Sequence, residues 1–184
     1  GIEAEEKISS SMVQNPHGLK SKVVREGMSK SQITENGLEK DPMRAISTMG
    51  DPIIPGVAGL AAGGSKEAPV LIAGGTQMTA VLKVLDGLDE QMENICLGTT
   101  RWIIEDEKSD LLGLINWTDQ VPVLASDLDF SDSEIPGLKA YEDGYVKEGV
   151  GSGGAAIAAM AKCKSVDPKS ILGITEEHYR RLVK

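Results

Sequence analysis

The chain has 184 residues, 40% hydrophobic and 26% charged, a balance that suits one folded domain with a sizeable core and not a disordered chain. Lys and Arg number 19 against 28 Asp and Glu, a net charge of −9, which argues against nucleic acid or an anionic membrane as the main partner. Aromatic residues, at 3%, are too few for base-stacking platforms. No apolar run is long enough to span a bilayer and no signal peptide is evident, so a cytoplasmic location is expected. Cys96 and Cys163, like His17 and His178, show no metal-ligand spacing. A reduced cysteine pair is expected over a disulfide.

Residues 1–14 are acidic and then serine-rich, with Glu3, Glu5 and Glu6 ahead of Ser9, Ser10 and Ser11. Serine clusters usually mark solvated turns. Ile8 to Val13 reads as a turn or a short strand, and its three serines also offer hydroxyls and N–H groups to a phosphate. Asn15-Pro16 reads as a helix start with Asn15 as cap. That helix carries Lys20, Lys22 and Arg25, close in sequence to the serines. Ser29 to Lys40 reads as loop. Asp41-Pro42 and Asp51-Pro52 each start a helix: Met43 to Met49, ended by Gly50, and Ile53 to Ala62, stopped by Gly63-Gly64. Gly56 and Gly59 inside the second would permit close helix or sheet contact.

Pro69 to Ala73 is the clearest strand, an apolar run without alternation that predicts burial on both faces of a parallel sheet. Gly74-Gly75 close it, and a helix follows to Leu85 with Thr76 as cap. In a strand–glycine–helix unit the ligand site lies at the carboxyl end of the strand. Gly74, Gly75, Thr76 and Gln77 are therefore candidate binding residues, and Gln77 has no evident structural need to be there. Glu93 to Thr100 and Val121 to Ser126 read as two further strands, with Leu111 to Trp117 helical between them. Gly137 to Val146 reads as a helix that delivers Glu148. Asp167-Pro168 and Thr175-Glu176-Glu177 start two short terminal helices. Strands alternating with helices predict an α/β fold with a parallel sheet. Three strands are few for such a sheet. A further piece of chain, or an oligomer, is expected to complete it.

Lys147-Glu148-Gly149-Val150-Gly151-Ser152-Gly153-Gly154 runs into Ala155 to Ala161, a run of helix formers that is apolar all round and therefore expected to be buried. A glycine loop opening a helix lets backbone approach a ligand and presents unpaired N–H groups to an anion. Glu148 is then one of two things. It is a charge favouring the helix dipole beside glycines that only allow close packing, or a catalytic carboxylate beside a ligand loop. Gly149, Gly151 and Gly154 also satisfy G-x-G-x-x-G. The dinucleotide fingerprint needs a hydrophobic strand before it and a strand with an acidic end after it. Neither is present, which weighs against a dinucleotide-dependent oxidoreductase.

Asp41-Pro42-Met43, Asp51-Pro52, Pro69 to Met78 and Glu148 to Gly154 together carry a resemblance to the nicotinate-nucleotide–dimethylbenzimidazole phosphoribosyltransferases, in their archaeal branch. Leu128-Asp129-Phe130 through Pro136-Gly137-Leu138, Tyr141, and Gly144 to Gly149 form the segment specific to that branch. The resemblance covers nearly the whole chain. It identifies residues 1–184 as one α/β domain, the C-terminal portion of a longer protein, with the family's N-terminal half absent. It implies a Rossmann-like parallel sheet flanked by helices, here N-terminally truncated, a homodimer, and no metal or organic cofactor. It also implies a reaction: a phosphoribosyl group passes from nicotinate mononucleotide to a nitrogen of a benzimidazole-type base. The product is an α-riboside 5′-phosphate used in the lower loop of cobamides.

Glu148 matches the family's catalytic glutamate, the general base. Ser9, Ser10 and Ser11 fall where the family holds the 5′-phosphate, Lys22 falls where its phosphate-binding lysine lies, and Gly74 matches a glycine near the substrates. Gly75, Thr76, Gln77, Gly149 and Gly151 are expected to line the same pocket. A non-catalytic nucleotide-binding or structural domain of the same fold is the alternative, and the presence of Glu148 weighs against it. If the absent half is essential, this chain is inactive by itself.

Overall fold

The computed structural model of the chain describes residues 3–12, 14–34, 38, 41–145 and 149–183. In chain order its elements are α1 (His17–Lys30), α2 (Pro42–Met49), α3 (Ile53–Gly64), β1 (Val70–Ala73), α4 (Met78–Gly87), β2 (Ile95–Thr100), α5 (Arg101–Ile104), α6 (Leu111–Ile115), β3 (Val123–Ser126), α7 (Pro136–Lys139), α8 (Gly151–Lys162) and α9 (Pro168–Leu182). The strands form one parallel sheet in the order β1-β2-β3, the α/β arrangement the sequence predicts. Ala73 is in register with Gly98, and Thr100 with Ser126. No described helix is long and apolar enough to cross a membrane.

Side chains alternate across each strand. Val70, Ile72, Ile95, Leu97 and Val123 face one side of the sheet. There they join Val81, Leu82 and Leu85 of α4 and Leu111 and Ile115 of α6 in the main core, with Ala58 and Ala61 of α3. Leu71, Ala73, Cys96, Gly98 and Leu124 face the other side, which α8 crosses. A second core lies beyond it, built from Trp102, Leu128, Phe130 and Ala156 with Tyr141, Met160 and Ile171. The Trp102, Phe130 and Tyr141 rings pack with centroids 5.0–5.7 Å apart, distances at which aromatic pairs add to simple burial.

The helix starts written into the sequence by Asp-Pro pairs are present. Asp41 accepts from the Arg44 N–H at 2.9 Å, Asp51 from the Ile53 N–H at 2.8 Å, and Asp167 forms a capping box with Ser170. Four other expectations are corrected. Asn15 does not cap α1, because its side chain is spent on tertiary contacts. The expected helix from Gly137 onward stops at Lys139 and continues as turns to Gly144. Its last expected residue, Val146, lies outside the described residues. The terminal segment forms one helix, α9, in place of two. Gly56 and Gly59 face open space, so neither permits a close contact.

Two burial expectations are corrected as well. The Ala-rich helix α8 buries Gly153, Gly154 and Ala156, while Ala155, Ala158, Ala159 and Ala161 are exposed. Strand β1 is not buried on both faces: Leu71 is half-buried and Ala73 exposed. Both have one cause. A single helix of small residues covers only a stripe of that face of the sheet.

Candidate functional site

Three segments far apart in sequence meet at the carboxyl end of β1. The first is the turn after β1, Gly74-Gly75-Thr76. The second is the serine turn. The Ser9 N–H donates to Thr76 Oγ1 at 3.0 Å, and the two hydroxyls lie 2.8 Å apart. The third is the start of α8. A methyl group placed on Gly75 would lie 3.0 Å from Val150 Cγ2 and 3.8 Å from Ser9 Oγ. Glycine at 75 therefore lets all three approach within the space of one side chain. Thr76, buried, spends its hydroxyl on Ser9 and does not cap α4, which corrects that expectation.

The serine turn is held by residues that sequence spacing does not reveal. Lys20 Nζ donates to the carbonyls of Ile8 (3.1 Å) and Ser9 (2.8 Å) and to Asn15 Oδ1 (2.8 Å). Burial draws the Lys20 ammonium below its ordinary pKa, opposed by the Asp106 carboxylate. Asn15 Nδ2 donates to the carbonyls of Ile8 (2.8 Å) and Lys108 (3.0 Å). The side chain of Lys22, two residues on, is exposed and pairs with Glu26 at 3.8 Å. The lysine joined to the serine turn is thus Lys20. The sequence shows an Asn-Pro helix start followed within two turns by lysines, and spacing alone does not say which of them faces back toward the turn.

Replacing Lys20 with Ala should destabilise the fold by about 2 kcal/mol and speed exchange of the Ser9 amide, because it strips charge-assisted bonds from two carbonyls. Lys22→Ala should stay within about 0.5 kcal/mol of the parent, as an exposed ion pair contributes little. Thermal unfolding of the two variants checks this.

At the start of α8 the glycines divide by role. A methyl group on Gly153 would lie 2.2 Å from the Thr99 carbonyl oxygen, and one on Gly154 would lie 2.6 Å from Ala73 Cβ. These two let helix backbone rest on strand backbone. Gly151 sits at the rim, near the Ala73 carbonyl, and Gly149 has φ +70 with open space around it. Gly149 therefore takes the left-handed conformation that glycine favours and turns the chain into the helix. Glu148 lies outside the described residues, immediately before this turn.

Gln77 is exposed, and its Nε2 donates to Asp51 Oδ2 at 2.9 Å. That gives it a structural partner after all, tying α4 to the start of α3. Ser10 accepts from the Met12 N–H at 3.2 Å within its own turn, and Ser11 is half-buried beside it. The carboxyl ends of the other strands carry hydroxyls in need of partners. Thr99 and Thr100 of β2 and Ser126 of β3 are buried, and their oxygens have no hydrogen-bond partner. A buried unpaired hydroxyl costs roughly 1–3 kcal/mol, and all three occupy the end of a parallel sheet where ligand sites form.

The Glu142 carboxylate shapes the segment that leads to Glu148. It accepts from the Phe130 N–H at 2.7 Å, from Trp102 Nε1 at 3.2 Å, and from Arg101 in an ion pair. Arg101 also donates to the Leu128 carbonyl at 2.7 Å. Polar groups thereby fasten the turns on either side of α7 over the aromatic core.

No family model matches the chain. It is 42% identical over 183 residues to a UPF0284 protein of Sulfurisphaera tokodaii, covering 99% of this chain and 50% of that protein. It is 42% identical over 183 residues to one of Methanocaldococcus jannaschii, 97% of this chain and 51% of that protein. With one of Picosynechococcus sp. the identity is 42% over 165 residues, 86% of this chain and 44% of that protein. None of these three names states an activity. The chain is thus similar, along essentially its whole length, to UPF0284 proteins, and it spans about half the length of the relatives it matches.

Proposed function

We propose that the chain carries the phosphate-binding and general-base part of a phosphoribosyltransferase. The enzyme would move phosphoribose from nicotinate mononucleotide to a benzimidazole-type base, giving an α-riboside 5′-phosphate for the nucleotide loop of cobamides. The observation that carries the proposal is the meeting of the serine turn, Gly75-Thr76 and the start of α8 at one end of β1. Each was a candidate on sequence alone, from a different part of the chain.

The chemistry asks for three things. A phosphate needs N–H and hydroxyl donors around an anion, and on this reading that part falls to Ser10 and Ser11 of the serine turn and to the Gly151 N–H at the start of α8. The flat base needs an apolar slot. The incoming N–H needs a carboxylate. In the step itself, the base nitrogen bonds to the anomeric carbon as the bond to the nicotinate ring nitrogen breaks. The leaving electron pair neutralises the pyridinium ring. The proton on the attacking heterocycle passes to the Glu148 carboxylate, the residue that opens the Glu-Gly-x-Gly motif immediately ahead of Gly149 in the sequence.

The test is product formation from nicotinate mononucleotide and 5,6-dimethylbenzimidazole by this chain and by the intact Sulfurisphaera tokodaii relative. The expected result is riboside phosphate from the intact protein. An intact protein that binds the nucleotide and forms no riboside contradicts the reading.

A further inference from the structure

The open side of β1 is built to receive another strand. β1 ends the sheet, and no described strand pairs with its outer edge. The Val70 and Gly74 amides donate inward, to the carbonyls of Asn94 (2.8 Å) and Gly98 (3.0 Å). By alternation along a parallel strand, Leu71 and Ala73 turn their N–H and C=O groups outward. A row of unpaired backbone groups of this kind is a template for strand addition.

What lies beside this edge is apolar. A groove of about 360 Å³ runs along it, lined by Ile53, Val57 and Leu60 of α3, by β1 itself and by Met78. Leu60 is 80% exposed and Ile53 56%. The adjoining face of the sheet repeats the pattern, with Leu71 half-buried, Leu124 42% exposed, and Ala155, Ala158, Ala159 and Ala161 of α8 exposed. Natural sheets blunt free edges with charge, proline or a covering segment. From Val70 to Ala73 this one carries no charge and no proline. It has the composition of an interior cut open.

The relatives are about twice as long as the part this chain matches. We infer that the half of a UPF0284 protein outside the matched region supplies a β-strand that pairs with Leu71 and Ala73 and lays apolar side chains into the groove along α3. A second copy of this chain would offer β1 a partner strand of only four residues. A segment as long as this chain supplies both a strand and a covering layer. The inference holds whether or not the protein transfers phosphoribose.

Amide hydrogen exchange tests it. In this chain alone, Leu71 and Ala73 should exchange fast while Val70 and Gly74 are protected. In the intact Sulfurisphaera tokodaii protein, the two amides aligned with Leu71 and Ala73 should exchange slower by about 100-fold or more, as interior strand amides do. Equal rates in the two proteins overturn the proposal. Slow exchange that appears in this chain alone as its concentration rises also overturns it, because the occupant is then a second copy. A change to Lys at the position of the intact protein aligned with Leu60 provides the second reading. It should speed exchange at those two positions if the groove is filled, and a variant folded by circular dichroism with unchanged protection contradicts the proposed occupant.

Discussion

Replacing Gly153 with Ala is expected to be among the most damaging single changes in the described fold, lowering stability by about 3 kcal/mol or more. The added methyl would sit 2.2 Å from the Thr99 carbonyl oxygen and 2.6 Å from the Thr100 nitrogen. Both neighbours are backbone of the central strand, so neither can rotate away as a side chain would. Relief requires α8 to lift from the sheet. Overpacking of a close contact costs 1–3 kcal/mol where side chains adjust, and more where they cannot. Gly59→Ala is the internal comparison. It lies inside α3 with open space where the methyl would go. There alanine's helix preference should stabilise by about 0.5–1 kcal/mol. Denaturant unfolding of the two variants should therefore move the midpoint in opposite directions. A Gly153→Ala protein as stable as its parent would contradict the packing of α8 on β2.

Glu148→Gln carries the largest expected effect on activity. Glutamine keeps the size of the side chain and loses the ability to take a proton. A positioned general base contributes typically 10²–10⁴-fold. In a preparation that turns over, either this chain or this chain fused to the unmatched half of a UPF0284 relative, kcat should fall by about that factor. Affinity for nicotinate mononucleotide should hold, since the nucleotide brings no proton to this carboxylate. A loss confined to KM would assign Glu148 to binding. An unchanged kcat would remove the base role and favour the reading of Glu148 as a charge beside the helix dipole.

The parts of the fold legible in the sequence were those fixed by local chemistry. Asp41, Asp51 and Asp167 announce helix starts because a short carboxylate ahead of proline satisfies first-turn amides. The run from Val70 to Ala73 announces a strand because four small or branched apolar residues end in two glycines. The meeting of the serine turn with Gly75-Thr76 was legible only in outline, as candidates at a strand end. That Ser9 pairs with Thr76, and that Lys20 and not Lys22 holds the turn, depends on how α1 lies against the sheet. Residues 67 apart in sequence carry no local signal of such pairing.

The exposure of α8 departs from the sequence expectation for a related reason. A helix apolar all round predicts burial only if enough structure surrounds it, and here one flank is bare. The segment of residues 140–145 reads as helix by composition, yet Glu142 is drawn to Phe130, Trp102 and Arg101, and the turn that results overrides helical propensity.

The proposed function requires phosphoribose to be held at the carboxyl end of β1. Backbone amide NMR of the chain during titration with nicotinate mononucleotide tests it most directly, because even millimolar binding moves the resonances of the groups touched. Shifts should concentrate at Ser9 to Ser11, Gly75, Thr76 and Gly151, while Asp86, Asp89, Glu90 and Gln91, which line an acidic depression beside the amino end of β2, stay unmoved. Shifts centred on that depression, or none up to the solubility of the nucleotide, would contradict it.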